Sequence, residues 1–96
     1  MKTVKVKLLN ETEVEVQLPY YSKQKFGVYR AYEFGRSIKC EKIAWGAFKE
    51  DMEYGNTILE IALNPNNEIA TEEDWGNAFD DLIDYLHKIK SVETAK

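Results

Sequence analysis

The feature that most constrains the fold of this chain is a run of apolar residues at helical spacing between residues 75 and 89. Apolar side chains recur there at i, i+3, i+4 and i+7, at Trp75, Ala78, Phe79, Leu82, Ile83, Leu86 and Ile89. This period of about 3.6 residues is typical of a long amphipathic helix. Since such a helix owes most of its stability to whatever covers its apolar face, the rest of the chain must supply that surface.

The residues before this run form a helix start signal. Thr71 is a favourable N-cap residue. The first turn then holds Glu72, Glu73 and Asp74, where the helix macrodipole stabilises negative charge. Asp74 stands where a capping box usually has Glu, and its carboxylate is one methylene shorter. We therefore expect the helix to begin directly after Thr71.

The start of the chain predicts a β-hairpin. Apolar residues alternate with charged or polar ones over residues 4–8 and again over 14–18. A two-residue turn near Asn10 would place Leu8 opposite Glu13. A three-residue loop instead keeps the valines on one face and sets the lysines opposite the glutamates. We expect this second register, because a slip of one residue would expose the whole apolar face.

Further strand and turn signals fill the middle of the chain, where Pro19 ends the second strand. The pattern predicts a polar loop over 20–25, strands over 26–34 and 37–43, helical turns or a loop over 44–54, a strand over 57–63 and a turn over 64–67. With the helix, this order predicts an α+β fold, an antiparallel sheet of about four to five strands with one C-terminal amphipathic helix packed on one face.

Length and cysteine usage indicate the kind of protein. A chain of 96 residues predicts a single domain, over 1–90, with a frayed tail over 91–96. Cys40 is the only cysteine, so no internal disulfide can form, which is typical of a reducing compartment. No apolar run reaches the ~20 residues that span a bilayer, and the first residues lack a signal-peptide pattern. We expect a cytoplasmic protein with no membrane contact.

The charged residues are divided unevenly along the chain, whose formal net charge is −4. Residues 1–49 hold ten Lys or Arg against five Asp or Glu, whereas residues 50–84 hold eleven Asp or Glu and no Lys or Arg. An asymmetry of this kind can serve solubility, or it can create a surface that attracts an oppositely charged partner.

Two groups of side chains could carry chemistry. Cys40 and His87 are the only residues of their kinds, and a thiol–imidazole pair can act as a nucleophile. Asp80, Asp84 and His87 share one stripe of the predicted helix and could ligate a divalent metal. The alternatives are a buried strand cysteine and a solvated helix face. Because no catalytic or phosphate-binding motif accompanies them, we expect no enzymatic activity, no metal and no other cofactor.

The acidic block has two interpretations. On the predicted helix, Glu73, Asp80 and Asp84 fall within about 40° of one another, with Asp81 alongside. Preceding segments add Glu50, Asp51, Glu53, Glu60 and Glu68. These acids either keep the protein soluble or form a surface that docks onto a basic partner by electrostatic complementarity.

The stretch PYYSKQKFGVYRAYEFGR, residues 19–36, mixes aromatic and cationic residues. One strand face there carries Phe26, Val28, Tyr32 and Phe34, which we expect in the core. The remaining aromatic and cationic residues are Tyr20, Tyr21, Tyr29, Lys23, Lys25 and Arg36. Tyr and Arg dominate interface hot spots, and they also stack on nucleic acid bases.

A stand-alone nucleic-acid-binding domain is not expected. The stretch has a local excess of only three positive charges, whereas binding to phosphates gathers several cations. The sequence pI of about 5.0 also opposes free DNA or RNA binding. Contact with nucleic acid or a ribonucleoprotein through this predicted hairpin stays an alternative.

In general character the chain is similar to many small proteins of phages and mobile elements, because it is short and acidic and has strands followed by one helix. Some of those, such as anti-CRISPR proteins, block a host nucleic-acid machine. The likeness rests on size and charge, so it transfers no residue.

We therefore predict a small acidic, non-enzymatic protein-binding module, of which an inhibitor of a nucleic-acid-handling complex is one form. The predicted partner is a protein or ribonucleoprotein with a basic surface. The predicted contact residues are Tyr20, Tyr21, Lys23, Lys25, Tyr29, Arg36, Glu73, Asp80, Asp81 and Asp84. A structural or homo-oligomeric protein, such as a homodimer, is a further alternative, because opposite charges of two copies can meet.

Overall fold

The computed structural model describes residues 2–9, 11–48 and 51–94, with side chains up to residue 89. The elements are β1 (Lys2–Lys7), β2 (Glu13–Leu18), β3 (Tyr20–Gln24), β4 (Gly27–Phe34), β5 (Ser37–Ala44), β6 (Glu53–Asn56), α1 (Leu59–Ala62), β7 (Glu68–Ile69) and α2 (Glu72–Thr94). The predicted α+β class, with an antiparallel sheet and a C-terminal helix, is confirmed.

The strands form two separate sheets. The larger sheet is antiparallel in the order β6-β5-β4-β3-β7, and β1 pairs only with β2. Helix α2 packs on one face of the larger sheet, whereas the β1–β2 hairpin and α1 pack on the other face. The five strands of the sheet are therefore not the five that the sequence suggests, because the hairpin becomes a layer of its own.

The predicted register of the hairpin is confirmed. Val4 pairs with Val16, and Lys5 pairs with Glu15. The four valines of the hairpin turn toward the core, while the lysines and glutamates are exposed. Asn10, at the predicted turn, lies outside the described residues.

The prediction of a polar loop over 20–25 is wrong, because most of this segment is strand β3. It pairs with β4 on one side and with β7 on the other. Its central residue Ser22 is fully buried, and its hydroxyl donates to the carbonyl oxygen of Ala62 at 2.7 Å. A polar side chain is tolerated in this strand because a partner from a distant segment satisfies it.

The prediction of a strand over 57–63 is also wrong. The last rung of the sheet here is the bond from the Thr57 amide to the Cys40 carbonyl oxygen, 3.0 Å long. The chain then forms the single helical turn α1, which buries Ala62 against the sheet. Adjacent Ala62 and Leu63 are both buried, which an alternating strand would not achieve.

The ambiguous segment 44–54 is resolved for its described residues. Residues 45–48 form no regular helix, and the buried Met52 lies on the core just before β6 begins at Glu53. Residues 49 and 50 lie outside the described residues. The loop alternative therefore holds for residues 45–48 and 51–52, whereas Ala44 belongs to β5 and residues 53–54 belong to β6.

The core is divided by the sheet into two clusters. The cluster under α2 consists of Val28, Ile43, Met52, Trp75, Ala78 and Leu82. The cluster under the hairpin and α1 consists of Leu18, Tyr29, Ala31, Cys40, Ala62 and Leu63. Strands β4 and β5 supply both, so the middle of the sheet is covered on its two faces.

The start of α2 is a reciprocal capping box, as predicted. The Asp74 amide donates to the Thr71 hydroxyl at 3.1 Å, and the Thr71 amide donates to the Asp74 carboxylate at 3.0 Å. Two amide groups at this end are satisfied by side chains, so the first turn is fixed before the helix reaches the sheet.

Replacing Thr71 with Ala should lower the free energy of unfolding by about 1 kcal/mol, because the Asp74 amide loses its acceptor. Urea unfolding followed by circular dichroism measures this change. Thr71→Ser is the matched control, since it keeps the hydroxyl and should cost much less. Equal unfolding midpoints for Thr71→Ala and the wild type would contradict this role.

Candidate interaction surface on the long helix

Helix α2 leaves part of its apolar side uncovered. Trp75, Ala78 and Leu82 are buried against the sheet. Four other apolar residues are exposed, namely Phe79 (39%), Ile83 (39%), Leu86 (52%) and Ile89 (37%). The first three lie together on one side of the helix, and we call them the apolar row. The apolar positions of the helix span roughly 160° of its circumference, which is more than one sheet face covers. The apolar row is therefore the edge of the helical pattern that the sheet does not reach.

The apolar row continues onto the sheet through Tyr54 of β6. The Tyr54 ring lies 6.1 Å from the Phe79 ring and 6.4 Å from the Trp75 ring, in edge-to-face arrangements. Tyr54 is itself 43% exposed. Strand β6 is an outer strand of the sheet, so the exposed apolar surface runs from this edge along α2.

A row of acids runs beside the apolar row. Glu73, Asp80 and Asp84 are exposed, and we call them the acidic row. At 100° per residue, they lie about 100° around the helix from the apolar row, on the side away from the core. Asp81 is exposed further around the helix. Glu50, from the predicted acidic block, lies outside the described residues.

Five of the nine described cations of residues 2–48 are paired with acids of the same molecule. The ion pairs are Lys2–Glu33 (3.2 Å), Lys23–Asp74 (3.8 Å), Arg30–Glu41 (2.6 Å), Lys39–Glu41 (3.8 Å) and Lys42–Glu53 (3.6 Å). Among the described residues, no ion pair includes a member of the acidic row. The charge asymmetry of the sequence therefore appears on the surface as uncompensated negative charge on α2.

A partly buried ion pair, in which Glu41 is buried and Arg30 half-buried, lies under the start of α2. Glu41 is 4% exposed, and the Nε of Arg30 donates to its Oε1 at 2.7 Å. The Tyr54 hydroxyl donates to the Oε2 of Glu41. The Arg30 guanidinium lies 4.6 Å from the centre of the Trp75 ring. This cluster connects β4, β5 and β6 to α2, and it holds the two aromatic residues that flank the apolar row.

The same contacts set the ionisation of Glu41. Burial alone raises the pKa of its carboxyl, but hydrogen bonds from Tyr54 and Arg30, with the charges of Arg30 and Lys39, outweigh burial and lower that pKa below its ordinary value. The bond to Glu41 is also the largest cause of the raised pKa of the Tyr54 hydroxyl. Glu41 is thus a carboxylate at neutral pH.

The tyrosines of residues 19–36 do not form one exposed platform. Tyr29 is 8% exposed and its hydroxyl donates to Gln24 at 3.3 Å, so the expectation that Tyr29 stands outside the core is wrong. Tyr20 packs against the cluster under the hairpin, whereas Tyr21 packs against the cluster under α2. Adjacent strand residues point to opposite faces, so these two rings are separated by the sheet.

The strand face predicted as core is only partly covered. Val28 is buried, but Phe26 is 42% exposed and Phe34 is 61% exposed. Tyr32 is half-buried, with the Arg30 guanidinium 4.9 Å from its ring centre. The prediction that Phe26 and Phe34 belong to the core is wrong, because α2 covers this face only near Val28.

The predicted cationic contact residues are not brought together. Lys23 reaches Asp74 at the start of α2. Lys25 is exposed in the turn before β4, with its ammonium 5.3 Å from the Phe26 ring, and Arg36 is exposed in the turn after β4. These two turns lie at opposite ends of an eight-residue strand, roughly 25 Å apart.

The only cysteine and the only histidine do not meet. Cys40 is buried in the cluster under the hairpin, whereas His87 is exposed on α2, on the other side of the sheet. Burial, with a smaller effect of Glu60, raises the pKa of the Cys40 thiol to about 11. The proposed thiol–imidazole pair is therefore not formed.

No group of three His, Cys, Asp or Glu side chains is arranged to hold a metal ion among the residues that the structure describes. Within the same residues, no helix combines the length and the apolar character needed to cross a membrane.

Comparison with protein family models, curated proteins and solved structures finds no match for this chain. The function is therefore inferred from the surface itself. Its missed component is the apolar row, which the sequence does contain as an apolar arc too wide for one sheet face.

Replacing Glu41 with Gln should lower the free energy of unfolding at pH 7 by about 2–3 kcal/mol, since Arg30 loses its buried counter-charge. Because the folded pKa of Glu41 is depressed, its contribution is present above the ordinary value of 4.5 and is lost as the pH falls through the lower folded value. The difference between variant and wild type should therefore shrink below pH 4.5.

Urea unfolding at several pH values checks this, with Glu33→Gln as the control. Glu33 pairs with Lys2 in an exposed position, so its loss should cost less than about 0.5 kcal/mol. Equal losses in the two variants would contradict the assigned importance of the partly buried pair.

Cys40 should be alkylated at pH 8 at least about a hundredfold more slowly in the native protein than in urea, because the thiolate is the reactive form and burial disfavours it. Mass spectrometry after timed exposure to iodoacetamide measures both rates. Comparable rates would show that Cys40 is not held in the described environment.

Proposed function

We propose that this protein is a non-enzymatic protein-binding module that docks onto the basic surface of another protein through the acidic row of α2. The observation that carries this proposal is the distribution of charge after internal pairing. Five ion pairs neutralise cations of the strands, while Glu73, Asp80 and Asp84 have no cationic partner among the described residues. These three acids lie on one side of one helix.

Aligned acids of this kind influence both the approach of a partner and the complex that forms. Unpaired surface charges attract an opposite surface over about 8 Å at physiological salt, which raises the association rate. They also discourage acidic partners, because like charges meeting at an interface are costly. Solubility alone explains negative charge, but it does not require that charge to lie in one row beside exposed apolar residues.

The scaffold presents this row with little freedom. The capping box fixes the first turn of α2. In the same turn Trp75 is buried, with its ring against the Arg30 guanidinium of the sheet. A surface ordered before binding loses less conformational entropy on association than a flexible segment does. The rigid placement therefore supports a docking role for the outer side of the helix.

Nucleic-acid contact has weaker support. Lys25 and Arg36 lie in turns at opposite ends of β4, and the tyrosines between them are divided between two faces of the sheet. The acidic row would repel a phosphate backbone. The likeness to phage proteins that inhibit nucleic-acid machines stays a prediction, since the docking surface suits any partner with a basic face.

Neutralising the acidic row in the triple variant Glu73→Gln, Asp80→Asn and Asp84→Asn should abolish partner capture at physiological salt. A matched control neutralises Glu11, Asp51 and Glu68, three exposed acids elsewhere, and changes the net charge equally. The measurement is affinity capture from the native cell with wild type and both variants as baits, over a salt series.

The expected result is a partner that is retained by the wild type and the control variant, is lost with the triple variant and dissociates as salt increases. The same partner retained by all three baits would contradict a docking role for the acidic row. Loss with both variants would indicate an effect of net charge rather than of this row.

A further inference from the structure

We propose that the partner segment bound by α2 is an amphipathic helix with Lys or Arg along one edge of its apolar face. This inference rests on the proposed function and names the partner of the same surface. It adds the apolar row, because Phe79, Ile83 and Leu86 are the apolar side chains of α2 that the sheet leaves uncovered beside the acidic row.

The spacing of the apolar row fits a helical ligand. Its members follow i, i+4, i+7, so they span about 10 Å along the axis of α2. A partner helix with apolar residues at the same spacing places one side chain beside each of them. Tyr54 forms the boundary of this surface at the sheet edge, where its ring contacts Phe79.

The negative charge beside the apolar row favours a partner helix that carries positive charge. The acidic row follows the same axis about 100° further around α2, so it faces one edge of any helix that lies on the apolar row. A purely apolar segment would leave these carboxylates without a counter-charge, and an acidic one would be repelled. Lys or Arg at that edge would compensate Asp80 and Asp84.

A second copy of this chain fits the surface less well. If two α2 helices packed antiparallel through their apolar rows, the two-fold axis would bring both acidic rows to the same side of the contact. The repulsion between like charges would then oppose the apolar contact. The charge pattern therefore favours a basic partner over self-association, and self-association is an outcome of the test.

The test uses the full chain and a fluorescently labelled synthetic Leu/Lys peptide that folds as an amphipathic helix. The comparison peptide has the same composition in a scrambled order. Fluorescence anisotropy measures the dissociation constants over a salt series, and circular dichroism verifies that each protein variant is folded. The wild type should bind the amphipathic peptide at least about tenfold more tightly than the scrambled one.

Two sets of variants separate the two parts of the surface. Ile83→Gln with Leu86→Gln should weaken binding at least about tenfold. In contrast, Ile58→Gln with Ile61→Gln should leave binding unchanged, since these exposed isoleucines lie just before α1 and within it. The triple neutralisation of the acidic row should weaken binding and remove most of its salt dependence. If the double variant in α2 is unfolded, the single Leu86→Gln variant replaces it.

Each result decides between the proposals. Unchanged affinity after Ile83→Gln with Leu86→Gln, together with weaker binding by the acidic-row variant, would overturn the helical partner and leave the proposed function intact. The reverse pattern would overturn the proposed function. Absence of peptide binding, or a wild-type dimer in sedimentation that Leu86→Gln dissociates, would overturn the basic helical partner.

Discussion

The structure depends on the partly buried ion pair between Arg30 and Glu41. Both residues lie on the sheet face that α2 covers, where an isolated charge would be very costly. Here each charge is compensated, since Glu41 accepts hydrogen bonds from Arg30 and Tyr54, and the guanidinium packs on Trp75. The pair therefore does more than join two strands. It also contacts Tyr54 and Trp75, the two aromatic residues beside Phe79, and so links the sheet to the start of α2.

The division of the core explains why so much of this helix is free. The sheet is covered by α2 on one face and by the β1–β2 hairpin with α1 on the other. A single helix covers only part of its face, as the exposed Phe34 at the end of β4 shows. The helix in turn packs against the sheet through Trp75, Ala78, Leu82 and their neighbours, because a sheet contacts only one side of a helix. The apolar row and the acidic row are what remains on the outer side.

Local patterns made some of this predictable. The start of α2 follows from Thr71 and Asp74, which are three positions apart and bond to each other within one turn. The hairpin register follows from the alternating valines, because a slip of one residue would expose them. Features that depend on distant contacts were missed. Ser22 in β3 has no local sign of burial, because its acceptor, Ala62, is forty residues away. The helical turn α1 was predicted as a strand, because its apolar residues suit both structures. Only the end of β6 at Asn56, which the sequence does not show, decides against a strand. Of the candidate surface, the acids of α2 stay a prediction that their exposure permits. Tyr29 was assigned to the surface although it is buried, and the exposed apolar row was assigned to the core-facing side.

We propose that the outer side of α2, with Tyr54 beside it, is the binding surface. The most direct test is an NMR titration of the ¹⁵N-labelled protein with the amphipathic Leu/Lys peptide, which reports every backbone amide without a mutation. We expect the largest chemical-shift changes at residues 73–86 of α2 and in β6. Changes centred instead on the β4–β5 turn near Arg36, or on the β1–β2 hairpin, would contradict it.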